Sequence, residues 1–270
     1  MKQKMSDTHD TSYIKIKRTL TISALIFILS SQSTLAQSFR DKDWNVNLWA
    51  NCGMPKRVNG TKPARMVKIE GDRKLMFSLE KGQVGPCSTD NMERHSAPYW
   101  ERAEVRQRNH LKLGKAYSIS FEATFMEGFK GRQEAFFQIH GWNGDCHAYP
   151  PVMMHFSGGT LNIWALRGVD QDAGKEWMSS SQGSHRSVQK RIVKINQLIG
   201  RTTLFEIQFD TRKGGNLSVY VNGEPVVENT PVEYASCAKP HMKMGIYRPG
   251  GSNNKKSVVV FDDVNVRVIE

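Results

Sequence analysis

Three short stretches hold residue types suited to chemistry on an acidic sugar: Arg102-Ala103-Glu104-Val105-Arg106, Gln138-Ile139-His140 and Lys243-Met244-Gly245-Ile246-Tyr247. In an extended strand, successive side chains alternate between faces. Ala103, Val105, Ile139, Met244 and Ile246 then share an apolar face fit for a core. Arg102, Glu104, Arg106, Gln138, His140, Lys243 and Tyr247 share the opposite one. In a uronic-acid polymer the C5 proton lies next to a carboxylate, and its removal expels the 4-O-linked sugar. That elimination adds charge to a group already anionic, so the carboxylate must first be neutralised. A base is then needed near C5 and an acid near the leaving oxygen.

The polar face offers each part. Arg102 or Arg106 can fork onto the carboxylate, and the Gln138 amide can donate to it. His140 starts from a pKa of about 6.5, close to neutral working conditions. Tyr247 starts near 10 and needs neighbouring cations to act as a base, a field that Lys243 and the arginines can supply. Glu104, between two arginines, is expected to hold their guanidinium groups in place. Taken singly, each feature also fits an exposed ion-pair ladder or a packed aromatic. Three matched strands are harder to dismiss.

The elements that must position these residues read as strands. Ala116–Phe125 alternates, Leu161–Leu166 follows Gly158-Gly159, and Thr203–Phe209 puts Phe205, Ile207 and Phe209 on one face. Leu217–Val221 runs into Asn222-Gly223, a hairpin signal, and Ser257–Ile269 is a long final strand with Asp262 and Asp263 expected to close it. Helix signals are sparse, Val188–Leu198 being the best candidate, and 168–187 reads as an irregular polar loop. Many strands, few helices and no internal repeat predict an all-β fold: a single-domain β-sandwich, or jelly roll, of two antiparallel sheets with a concave basic cleft.

The amino terminus reads as a secretory signal peptide covering 1–36. Lys15, Lys17 and Arg18 precede an apolar run from Leu20 to Leu29, and Thr34-Leu35-Ala36 offers a cleavage site. The folded domain is then 37–270, periplasmic or secreted and not membrane-held. The whole chain carries a formal charge of +12; cleavage removes five cations and two acids and leaves +9. Such a charge favours acidic partners, and no nucleic-acid-binding motif is present. Cys52, Cys87, Cys146 and Cys237 suit disulfides in an oxidising compartment. The pairing Cys52–Cys87 and Cys146–Cys237 is expected.

At the three stretches the chain resembles polysaccharide lyases with a concanavalin-like jelly-roll fold. Family 7 alginate lyases carry Arg-Ser/Thr-Glu-Leu/Val-Arg, Gln-Ile/Val-His and Lys-Ala-Gly-x-Tyr. The longer run Tyr99-Trp100-Glu101-Arg102-Ala103-Glu104-Val105, the Asn222-Gly223 hairpin and Lys243 to Arg248 look still more like the heparin-lyase-I-like group, which includes glucuronan lyases. The resemblance runs from about Tyr99 to the carboxyl end. It implies endolytic β-elimination, with His140 and Tyr247 as the acid/base pair and Arg102, Arg106 and Gln138 at the carboxylate. Which arginine makes the direct contact stays open. Ala103 and Arg248-Pro249 depart from the alginate pattern and leave glucuronate-containing or sulfated polymers as alternatives.

Around these motifs, Trp142 is a candidate to stack on a sugar ring. Tyr149 and His147 lie close by in sequence, and Trp164 and Tyr220 are weaker candidates of the same kind. Arg248, Arg132 and Lys130 are candidates for flanking carboxylates or sulfates. No catalytic metal or other cofactor is expected. A structural calcium ion near Asp145, or near Asp170 and Asp172, is left open, though neither place has the spacing of an EF-hand loop. The expected partner is an acidic polysaccharide and the expected state a monomer. Two other readings share the fold. A lectin-like domain would bind without turnover. A glycoside hydrolase would need two flanking carboxyl groups, and no Glu-x-Asp-x-Glu run is present; Glu122 and Glu127 have the wrong parity for one strand face.

Overall fold

The computed structural model describes residues 38–50, 52, 54–55, 63–93, 97–141, 150–166, 186–187, 193–234, 237–251 and 256–269. All of them belong to the larger of two compact units, Leu35–Glu270. The signal-peptide reading, Asp145, Cys146, His147, Trp142, Tyr149, Asp170 and Asp172 fall outside the described residues.

Two antiparallel sheets make up the described fold. The first runs, in spatial order, β1 (Ser38–Phe39), β2 (Leu48–Trp49), β5 (Trp100–Gln107), β14 (His241–Pro249), β7 (Glu134–His140), β8 (Val152–Ser157), β9 (Thr160–Leu166) and β10 (Arg186–Ser187). The second runs β13 (Glu224–Pro231), β12 (Asn216–Val221), β11 (Thr202–Asp210), β6 (Ala116–Phe125), β15 (Lys256–Val268), β4 (Asp72–Glu80) and β3 (Ala64–Ile69). The all-β sandwich read from the sequence is the fold. Phe121 of β6 stacks on Phe137 of β7 across the two sheets, with ring centroids 5.0 Å apart. Ala103, Val105, Ile139, Met244 and Ile246 lie in the same buried core. At the Asn222-Gly223 turn both residues take positive φ, 52° and 81°, as a two-residue hairpin of the favoured twist requires.

Three readings need correction. The Val188–Leu198 segment is not a helix in its described part, which holds one short 3₁₀ turn, Ile195–Gln197. Asp262 and Asp263 do not close the last strand. They sit inside β15 at a register shift between Asp262 and Asn265, where Asp263 takes φ 47°, a bulge that tightens the local twist.

Arg248 does not face a flanking carboxylate or sulfate of a substrate. Along β14 the odd positions Lys243 and Tyr247 point away from the core and the even ones point in. Arg248 is therefore fully buried among acids. Its Nε donates to Glu101 Oε2 at 2.5 Å, and its Nη1 donates to Glu134 Oε1 at 3.0 Å and to Ser257 Oγ at 2.7 Å. The two carboxylates also accept from loop backbone, Glu101 from the Gly82 N–H and Glu134 from the Gly131 N–H, at 2.6 and 2.8 Å. Arg248 thus ties β5, β7 and β14 of one sheet to β15 of the other. Removing one member of a buried ion cluster strands the rest without charge compensation. Arg248→Met is expected to cost about 3–5 kcal/mol of folding stability, read from the shift in the denaturant midpoint; a cost near zero would mean the cluster holds nothing.

Candidate active site

The motif strands are neighbours: β14 lies between β5 and β7. Their register sets the polar side chains in rows. Lys243 pairs with Arg106 on one side and Gln138 on the other. The row continues to Trp49 beyond Arg106 and to Met153 and Trp164 beyond Gln138. Toward one end of β14, His241 pairs with His140. Toward the other, Gly245 faces Glu104 and Tyr247 faces Arg102. Strands lie about 4.8 Å apart, and rows two residues apart are separated by about 7 Å. The arginines, the amide, the imidazole and the phenol therefore stand on one face of one sheet.

A buried chain of charge fixes the middle of this face. Arg102 Nε and Nη2 donate to the two oxygens of Asp90 at 2.9 and 2.7 Å, and Nη1 donates to Glu104 Oε2 at 2.6 Å. Gln138 Nε2 donates to the other Glu104 oxygen at 2.6 Å. Asp90, Glu104, Gln138 and Arg102 are 0, 2, 2 and 6% exposed, so these contacts escape the screening that weakens surface pairs. Burial works against the Arg102 charge, yet Glu104 and Asp90 outweigh it and hold its pKa above the usual value. The guanidinium also lies 4.0 Å from the centroid of the Tyr247 ring, and Tyr247 stacks on Trp100 with centroids 4.9 Å apart. Glu104 holds Arg102 and Gln138 and does not reach Arg106, unlike the sequence expectation that it would hold both arginines.

Asp90 escaped sequence reading. It sits in a 3₁₀ turn, Ser88–Asn91, directly after Cys87, whose disulfide to Cys52 forms as expected. Cys237 is disulfide-bonded too, while its expected partner Cys146 lies outside the described residues. The backbone at Gly85 passes so close that a Cβ there would stand 2.1 Å from Asp90 Oδ2 and 2.8 Å from Arg102 Cβ. Only a residue without a side chain leaves room for this ion pair.

Arg106 differs from Arg102. No carboxylate pairs with it among the described residues, and its buried Nε has no hydrogen-bond partner. Its guanidinium carbon lies 4.9 Å from the Trp49 ring centroid, and burial lowers its pKa. Lys243, one strand away, is held at about 8, first by burial and then by Arg102. His140 lies well below the ordinary imidazole value, first through burial and then through Lys243, His241, Arg102 and Arg106. It is neutral at working pH. His241, also missed, is 2% exposed. Its ring stands 5.6 Å from His140 and 5.4 Å from His110. Burial chiefly lowers its pKa to about 3. Trp164 shares the face through its row, packed 4.5 Å from the His155 ring, whereas Tyr220 belongs to β12 in the other sheet. The two acids held at the centre, Asp90 and Glu104, are committed to Arg102 and Gln138.

The polysaccharide lyase family matches residues 41–265. The chain belongs to that family. This lyase is similar in structure to the endo-β-1,4-glucuronan lyase of the fungus Trichoderma reesei, with a TM-score of 0.54 and 14% identity over 79% of this chain and 93% of that one. It is also similar to the family 7 alginate lyase A1-II′, with a TM-score of 0.50 and 15% identity over 77% and 83% of the two chains. At such identities the likeness shows the shared fold. No curated protein sequence matches the chain.

Two histidines, the buried His241 and the half-buried His140, set an acid limit on the lyase's stability. Both have folded-state pKa values below the unfolded value of about 6.5, so their contribution is complete above that pH. It is lost as pH falls from 6.5 toward the folded values, about 3 for His241. Each can cost up to about 1.4 kcal/mol per pH unit in that window. His241→Phe is expected to flatten the decline in unfolding free energy between pH 6.5 and 4, measured by urea titration at each pH. An unchanged slope would place the acid sensitivity elsewhere.

Proposed function

We propose that this lyase cleaves a uronic-acid polysaccharide by β-elimination. The observation that carries the reading is the row Arg106–Lys243–Gln138 on three hydrogen-bonded strands, with His140 and Tyr247 on the same face to either side along the strands. A sugar carboxylate over the row meets a guanidinium not committed to an acid among the described residues, an ammonium and an amide. That set offsets the charge that builds as the C5 proton leaves. The C5–H bond breaks, the electron pair forms a C4=C5 double bond, and the C4–O bond breaks with its electrons on the departing oxygen. The neutral His140 imidazole is suited to accept the C5 proton, and the Tyr247 hydroxyl to donate to the leaving oxygen. Arg102 works through others, bracing Tyr247 directly and Gln138 through Glu104. Direct carboxylate contact falls to Arg106. The enzyme acts outside the cytoplasm, after removal of residues 1–36, and needs no metal in this scheme.

The reading is tested by incubating the enzyme with polyglucuronate, alginate, hyaluronan and heparin. At least one should yield unsaturated uronate ends that absorb in the ultraviolet. New reducing ends without that absorbance would indicate hydrolysis, and binding without either product a lectin. His140→Ala and Tyr247→Phe should each lower turnover by about 10²–10⁴-fold while circular dichroism stays native. Arg106→Ala and Gln138→Ala should each lower kcat/KM by about 10²–10³-fold. Full activity in Tyr247→Phe would remove the phenol from the mechanism.

Lys243 predicts an alkaline limb. It carries its charge below about pH 8 and loses it above, so affinity for an acidic polymer should fall as pH rises through 8. Lys243→Arg keeps the charge, because guanidinium does not titrate in this range, and should move the limb upward. A limb that stays at the same pH in that variant belongs to another group.

A further inference from the structure

Beyond the carboxylate at the reaction centre, the outer end of the same row has the composition of a second anion site. Trp49 Nε1 and Arg106 Nε are both buried and both without a hydrogen-bond partner. They belong to cross-strand partners on β2 and β5. A buried donor with no acceptor costs about 1–3 kcal/mol, and two such donors on side chains in contact, with the Arg106 guanidinium carbon 4.9 Å from the Trp49 ring centroid, call for an acceptor. Arg108, exposed at the end of β5, places its guanidinium carbon 5.3 Å from the same indole centroid. Among the described residues no acid pairs with Arg106 or Arg108, and the sequence from Ala50 to Arg65 contains no acid at all. The contrast with Arg102, held by two carboxylates, is plain.

We infer that Trp49 Nε1, the Nε of Arg106 and Arg108 bind the oxyanion of a sugar next to the one being cleaved, a carboxylate or a sulfate, while the Nη groups of Arg106 serve the carboxylate of the reacting sugar. The indole N–H and the guanidinium N–H donate to its oxygens, and Arg108 supplies a second positive charge from the solvent side. The site spans β5 and β2, one and two strands outward from Lys243, so it takes a neighbouring unit of the same chain. This rests on the lyase reading for the identity of the polymer, though not for the binding of an anion. A polymer with consecutive acidic units would fill both sites, and one with a neutral unit beside each uronate would fill one.

The test uses the full enzyme with uniformly ¹⁵N-labelled tryptophan. Trp49→Phe identifies the Trp49 indole resonance by its disappearance. Inorganic sulfate and free glucuronate, added at constant ionic strength against chloride, should shift that resonance saturably, and Arg108→Ala should weaken the apparent affinity about tenfold. A resonance unmoved by either anion, or moved equally by chloride, overturns the site. Turnover supplies the second arm. For Trp49→Phe, KM should rise about tenfold on a contiguous polyuronate if the anion is a carboxylate. The rise should fall on a polymer alternating uronate with sulfated sugar if it is a sulfate. Equal KM values for wild type and Trp49→Phe on both overturn the assignment. Anion binding without any unsaturated product would leave this site standing and fail the lyase reading instead.

Discussion

The polar face hangs on the two-oxygen grip of Asp90 on Arg102. Without it a guanidinium that is 6% exposed would be under-compensated, and Glu104 would lose the fixed charge that orients it. Glu104 in turn holds the Gln138 amide. An amide held through one N–H keeps its second N–H and its carbonyl oxygen for other partners, and its orientation is no longer free. A chain of buried charge-assisted bonds thus sets the aim of a neutral donor on the next strand but one. The arrangement needs a close backbone at Gly85 and a turn fixed near Cys87, so the loop before β5 is part of the site's machinery although none of it is in a motif.

The opposite side of β14 explains why the platform can be precise. Arg248 locks three strands of the polar-faced sheet to the other sheet from within the core, one residue from Tyr247. Adjacent residues on a strand point to opposite faces, so a single strand carries both the structural cation and the reactive phenol. A shift of one residue would exchange them, placing an aromatic among buried carboxylates and a guanidinium on the outer face. The buried charge therefore specifies register at the point where register decides which groups meet.

Much of this was legible in the sequence because period-two alternation is local. The strand patterns at Ala116–Phe125 and Thr203–Phe209, the Asn222-Gly223 turn and the apolar side of the three motifs need only neighbouring residues to be read. The same parity rule, carried one residue past Tyr247 and two before Lys243, assigns Arg248 to the core and His241 to the polar face, so both signals were present. Asp90 carried none: its role arises from a turn folding back onto β5, and a lone acid in Ser-Thr-Asp-Asn reads like any turn residue. Asp262 and Asp263 read as a strand end because polar pairs usually end strands, whereas a bulge absorbs them mid-strand. The Val188–Leu198 pattern mixed apolar and basic residues at helical spacing, but its described end makes only one tight turn.

Two arginines four residues apart on one strand face do different work, and the difference follows from their acids. A guanidinium has five N–H donors. Arg102 commits three of them to Asp90 and Glu104 and rests its face on Tyr247. A substrate carboxylate approaching it would meet a charge already balanced by two others. Among the described residues Arg106 has aromatic contact and no acid; burial lowers its pKa, and burial together with the charges of Arg102 and Arg106 lowers that of Lys243 beside it. That destabilisation is relieved when an anion enters, because the anion restores to each cation the partner the fold withholds. The unfavourable electrostatics of the empty row and its affinity for an acidic chain are therefore one property, and the cost is borne by the rigid sandwich beneath it.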